Sequence, residues 1–235
     1  LGLDRLIKSI RYAKKDSKIK GIYLTNETGF ESGFATLKSI RDALSDFKSS
    51  GKKVVVYSEI MDEKMLYLAS VANYIGMNPM GYVELNGFAT TRSFYKNLLD
   101  KLGIKAQVFY AGQFKSATEP FRLNKMSDQN KLQTREYLDE LYRIFIHDVS
   151  TGRNIDENTL RSEASSLEVT TAISALKARL VDSLAYESDV VDKAKSLIGL
   201  ENSDKFNTVD VRDYAEEVIK KDVDSGKDKI AIVYA

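Results

Sequence analysis

One stretch concentrates the residues that could do chemistry: Gly112-Gln113-Phe114-Lys115-Ser116-Ala117-Thr118-Glu119-Pro120-Phe121. A glycine and a proline bracket a single lysine, and the apolar run Ala106 to Tyr110 before it reads as a buried strand. Sites in α/β proteins gather where strands end. The bland reading of Lys115 is a solvated loop lysine. The sharper one notes Val108, Phe109 and Tyr110 before it and Phe121 after it. A lysine desolvated by such neighbours loses its preference for the charged form and becomes able to accept a proton. Lys115 is therefore a candidate general base. A Glu119 carboxylate paired with it would hold the ammonium charged, so this reading requires Glu119 to face away. Ser116 to Glu119 also has capping-box spacing, with Pro120 inside what would be the first helical turn.

Other reactive types offer little. Ser58 falls in a strand pattern and Ser70 near a helix end, where packing or capping explains them. The one histidine, His147, lies in a long helical pattern. With no cysteine and no second histidine it cannot anchor a zinc site, and no Ser-His pairing suggests a triad. The absence of cysteine also excludes disulfides and thiol nucleophiles.

The elements that must carry these residues can be read from periodicity. Leu3, Leu6, Ile7 and Ile10 mark an amphipathic helix, and Lys14, Lys15, Lys18 and Lys20 read as its solvated basic end. Ile19 to Leu24 is a short strand, and 25–33 is a loop with two glycines and Glu27 that reads as structural. Leu37, Ile40, Leu44 and Phe47 give a second helix, ended near Gly51. Lys53 to Tyr57 is a valine-rich strand suited to a parallel sheet, and Met61 to Ala72 a helix. Tyr74 to Val83, with Asn78-Pro79 and Gly81, predicts a turn between short strands. Phe94, Leu98, Leu99 and Leu102 give another helix. The longest helical pattern runs from Asp128 to about Val149, with Leu132, Leu138, Leu141, Tyr142, Phe145 and Ile146 as candidate core. Short helices follow at 157–164, 170–178 and 186–198, then a linker at 199–207, a β-like 208–211 and a charged helix at 214–222. Ile230 to Tyr234 predicts a further strand. Strands alternating with helices make the class α/β.

Composition sets wide bounds. The 235 residues suffice for one large domain or one and a half; 43% are hydrophobic and 29% charged, as in an ordinary globular chain. A net charge of +1 gives no footprint for nucleic acid. No apolar run is long enough to span a bilayer, and no signal-peptide pattern precedes the first helix. A start at Leu1 inside a helical pattern fits a piece of a longer chain.

The Gly112–Phe121 segment resembles the lysine motif of the signal peptide peptidase A family (SppA, protease IV) in its long form with two tandem halves. Leu85-Asn86-Gly87-Phe88-Ala89-Thr90, Tyr95-Lys96-Asn97-Leu98-Leu99-Asp100-Lys101-Leu102 and Tyr67-Leu68-Ala69-Ser70-Val71-Ala72-Asn73 follow that family's order and spacing. The similarity runs from about Leu3 to the end and weakens after Thr151. It implies the N-terminal half of a bacterial, membrane-associated serine endopeptidase with a Ser-Lys dyad, which degrades cleaved signal peptides at the extracytoplasmic (periplasmic) face of the cell membrane. It implies a crotonase-like (ClpP/crotonase) fold of repeated ββα units with a helical excursion at about 120–200. Residues 1–225 would form the lysine-bearing half, and 226–235 a linker and the first strand of a second half. Lys115 would be the general base. Counting back from Ala72-Asn73, Glu63 falls where the family's other half carries its serine, so the nucleophile is expected outside this chain. The same resemblance implies signal-peptide or unfolded-peptide substrates, a homo-oligomeric ring or bowl, an anchor absent from this chain, and no cofactor or metal. Two alternatives stay open: a non-catalytic domain that builds the oligomer or binds peptide, and an acyl-CoA enzyme of the same fold.

Overall fold

The computed structural model describes residues 1–26 and 32–221. The loop centred on Glu27 and the strand expected at 230–234 lie outside the described residues. Two compact units emerge: one of Leu1–Glu84 together with the chain from Val169 onward, the other of Leu85–Glu168. In chain order the first unit contributes α1 (Leu3–Lys15), β1 (Gly21–Asn26), α2 (Phe34–Lys48), β2 (Lys53–Met61), α3 (Glu63–Ala69) and β3 (Tyr74–Val83). The second holds α4 (Lys96–Lys101), α5 (Glu119–Arg122), α6 (Asp128–Arg153) and α7 (Glu157–Ser166). The first then resumes with α8 (Ala172–Lys177), β4 (Ser183–Leu184), α9 (Glu187–Leu197) and α10 (Val211–Lys221).

The first unit is α/β. Its four strands lie in the order β1-β2-β3-β4 and every neighbouring pair is parallel. Val54, Val55, Val56 and Tyr57 of β2 are all buried, as befits a central parallel strand covered on both faces. Gly51, at φ +87°, supplies the left-handed turn between α2 and β2 that a side chain would resist. Asp62 caps α3 by accepting from Met65 N at 2.7 Å. Met61 therefore stays in β2, and α3 is shorter than its apolar pattern predicts.

The turn expected within 74–83 is instead part of one ten-residue strand. Pro79 and Gly81 are accommodated because the β2–β3 ladder breaks there: Ser58 pairs with Met77, and pairing resumes at Ile60 with Tyr82. A Cβ on Gly81 would meet the carbonyl oxygens of Glu59 at 2.7 Å and Asn78 at 2.9 Å, so the bulge requires glycine.

Val190 and Ala194 of α9 pack on Val55 and Tyr57, with Tyr23, Tyr74, Leu197 and Phe206 around them. Phe206 meets the Tyr23 ring edge-on at 5.9 Å. The segment read as a linker is thus anchored to the core by one aromatic residue. The 208–211 stretch is not a strand, and α10 begins at Val211. Tyr214 Oη donates to Asp16 Oδ2 at 3.0 Å, joining α10 to the end of α1. The chain leaves this unit after Val83 and returns beside it: Val83 N donates to Thr170 O at 3.2 Å, and Tyr82 forms an antiparallel bridge with Thr171.

In the second unit α6 is long but unevenly buried. Phe145, Ile146 and Val149 are core, joined by Leu160 and Ala164 of α7 and by Phe88, whose ring lies 5.4 Å from that of Phe145. Leu132, expected in the core, is exposed, because the first turns of α6 carry no apolar layer within the described unit. The helix predicted around Leu98 and Leu102 forms as α4, yet buries none of its residues. Among the described residues, no helix is long and apolar enough to cross a membrane.

Candidate active site

The lysine segment lies wholly in the second unit, and it is a loop. Residues 104–111 form no strand and are largely exposed, with Phe109 at 94%. The described sheet is built entirely from the other unit, so this apolar run finds no ladder partner among the described residues. The desolvated lysine expected from sequence is therefore not found here: Lys115 is exposed, as are Tyr110, Phe114 and Phe121. Gly112, at φ +98°, turns the chain, and Lys115 N donates to Gly112 O at 3.4 Å. The backbone then closes a turn from Glu119 N to Ser116 O at 3.0 Å and enters α5.

The capping box suggested at Ser116 is not formed. Thr118 takes the N-cap position without a side-chain cap. Its hydroxyl instead accepts from Arg122 Nε at 3.2 Å. Glu119 turns inward and is only 1% exposed. Its Oε1 accepts from Ser127 Oγ at 2.5 Å, and its Oε2 from Asn130 Nδ2 at 2.7 Å and Ser127 N at 3.2 Å. Ser127 is itself the N-cap of α6, accepting from Asn130 N at 3.1 Å. Burial alone would raise the Glu119 pKa. The hydrogen bonds from Ser127 and Asn130, with the Arg122 charge, outweigh that and lower it. Glu119 is thus a carboxylate committed to the start of α6. Among the described residues no carboxylate forms an ion pair with Lys115.

Lys115 opens on a cavity of about 730 Å³ walled by Phe109, Tyr110, Phe114 and Tyr137, with Arg92 as a second cation. Asn130 and Thr134 line it too, and Thr134 Oγ1 donates to Asn130 Oδ1 at 3.3 Å. Lys115 thus lies, with no carboxylate among the described residues ion-paired to it, on a wide cleft whose lining mixes aromatic and polar side chains.

Residues 46–201, from within α2 to just past α9, match peptidase family S49. The chain belongs to peptidase family S49. It is 35% identical over 240 residues to Protease 4 of Salmonella typhi, covering 98% of this chain and 38% of that protein. Over 217 residues it is 30% identical to Protease 4 of Haemophilus influenzae, covering 89% and 35%. Over 242 residues it is 29% identical to the chloroplastic serine protease SPPA of Arabidopsis thaliana, covering 100% and 35%. The chain spans a little over one third of the length of these curated relatives.

Two further serines of this S49 chain are structurally committed. Ser58 is fully buried and donates to Ile60 O at 2.6 Å. Ser70, also buried, donates to Tyr67 O at 2.8 Å and accepts from Arg41 Nη2 at 3.2 Å. Both are packing and capping residues, as expected. Glu63 is the first residue of α3. His147 is exposed, with Nδ1 2.9 Å from Glu157 Oε1. Among the described residues no group of side chains could hold a metal ion. Sequence reading missed Arg122, Ser127 and Asn130. The visible signals were the i,i+4 spacing of Thr118 and Arg122 and a serine directly before the longest helical pattern.

Proposed function

We propose that this chain is the lysine-bearing half of a Ser-Lys serine endopeptidase, with Lys115 as general base. The observation that carries the reading is the amine of Lys115 on an aromatic cleft, with Glu119, the nearest carboxylate in sequence, bonded away from it. Family membership supports the peptidase chemistry. This reading sets the serine outside this chain, because the start of α3, where the resemblance to the family's other half would put it, carries Glu63, and Ser58 and Ser70 on either side are buried and bonded.

In this reading the neutral Lys115 amine takes the proton of a serine Oγ as that oxygen bonds to the scissile carbonyl carbon. The resulting ammonium gives the proton to the leaving amine as the C–N bond breaks. Lys115 then takes a proton from the water that attacks the acyl carbon and returns it to the serine Oγ as the C–O bond breaks, restoring the free amine. The exposed aromatic rim of Phe109, Phe114 and Tyr137 calls for a covering surface, and a serine-bearing half with a crotonase-like fold would supply it while drying the lysine. Apolar peptide segments, such as those of cleaved signal peptides, match the aromatic walls. The enzyme works as a ring or bowl of several copies, held at the extracytoplasmic face of the bacterial membrane by an anchor outside this chain.

A second reading, a non-catalytic peptide-binding half, draws on the exposure of Lys115. Lys115→Ala in the full-length protein separates the two. Loss of most peptidase activity with an unchanged circular dichroism spectrum supports the base; retained activity with weakened peptide binding supports the second reading.

A further inference from the structure

The loop that carries Lys115 is closed by one side chain. The Arg122 guanidinium lies 3.9 Å from the centre of the Tyr110 ring, while its Nε donates to Thr118 Oγ1 at 3.2 Å. Tyr110 precedes Lys115 and Thr118 follows it, so a single planar cation joins both ends of the loop. Its Nη2 sits 3.9 Å from Glu119 Oε1. Glu119 is fixed in turn by Ser127 and Asn130 at the first turn of α6. The route from the 26-residue helix to the lysine loop thus passes through two charged side chains.

The loop's own backbone adds a few restraints. No ladder flanks it among the described residues, Gly112 adopts a left-handed conformation, Lys115 N reaches Gly112 O at 3.4 Å, and Glu119 N donates to Ser116 O at 3.0 Å. A general base must stay within hydrogen-bond reach of its proton, and a misplacement of about 1 Å can cost roughly 100-fold in rate. The three contacts of Arg122 use its flat face, a directed N–H and its charge. Lysine keeps the charge and N–H donors but has no planar face and no rigid fork, so it cannot hold all three contacts at once.

We propose that Arg122 and Glu119 are positioning residues for Lys115: Arg122 clamps the loop from Tyr110 to Thr118, and Glu119 anchors the clamp to α6. This rests on Lys115 being the base, and the test separates the two ideas. In the full-length enzyme, Arg122→Lys and Glu119→Gln should each lower kcat by about 100-fold with KM changed less than about twofold. Melting temperature reports whether each variant stays folded. Lysyl endopeptidase cleavage after Lys115 supplies a readout independent of activity, and it should speed up by about tenfold in both variants as the loop opens. Arg122 is a partly exposed residue, so Arg122→Lys folds and decides alone if Glu119→Gln does not. Lys115→Ala is run beside them. If it is inactive while Arg122→Lys keeps wild-type kcat and cleavage rate, the clamp is wrong and the base stands. If Lys115→Ala is active, the base is wrong, and cleavage alone then judges the clamp.

Discussion

Asn130 Nδ2 donates to Glu119 Oε2 at 2.7 Å, and with the Ser127 bonds this turns a carboxylate four residues from Lys115 away from it. A glutamate at that position could have neutralised a lysine base by pairing with it. Instead it is consumed in starting α6.

The same bonds make Glu119 a pH-dependent source of stability. Its folded pKa is lowered, so its contribution is fully present above the ordinary glutamate range and is lost as pH falls through the folded value. Glu119→Gln should cost about 2 kcal/mol at neutral pH, the scale of a buried group left poorly satisfied. The deficit should shrink in acid. Urea denaturation of both proteins at neutral and acidic pH checks this, and an equal deficit at both would contradict it.

Lys115→Arg should be as inactive as Lys115→Ala in the full-length protein, because a guanidinium cannot give up its proton. Lys105→Ala and Lys125→Ala should stay close to wild type. Rate against pH for each variant is the measurement. Near-normal activity in the Arg variant would mean that Lys115 serves as a fixed charge.

The 235-residue chain by itself should not turn over a peptide ester. The two serines nearest the start of α3, Ser58 and Ser70, are buried and bonded. Turnover abolished by a serine-directed inhibitor would place the nucleophile within this chain.

Gly76→Ala should destabilise the first unit. An added Cβ on this β3 residue would lie 2.2 Å from Val190 Cγ2, so the Val190 side chain packed on the sheet would have to give way. Overpacking of this kind costs about 1–3 kcal/mol. Thermal melting gives the loss, and Gly76→Ala combined with Val190→Ala should recover part of it.

Much of the first unit was legible in the sequence because its patterns are strong. The valines of β2 and the periodic leucines of α1 and α2 led to the elements observed. The failures have local causes. Asn78-Pro79 and Gly81 signal a turn, yet a break in the β2–β3 ladder absorbs them within one strand. Ala106 to Tyr110 has strand composition but no partner strand among the described residues, and an apolar run cannot reveal whether its ladder lies in the same chain. The Lys115 motif is visible in the sequence, whereas the exposure of its aromatic neighbours within this chain is not, for the same reason. The role of Glu119 could not be read from spacing, since Ser116 offered a nearer cap than Ser127.

The bridge between Tyr82 and Thr171, with Val83 bonded to Thr170, ties together the two ends of an 84-residue detour, Leu85–Glu168. The sheet-bearing unit thus treats the lysine-bearing one as an insert whose entry and exit are already spliced. Changing the insert's length should alter only a closure entropy that grows slowly, by about 0.6 kcal/mol per doubling. The threading of the parallel sheet is thus independent of the length of the module that holds the lysine. A chain joining Glu84 to Val169 through a short glycine-serine turn should retain the sheet's circular dichroism signature.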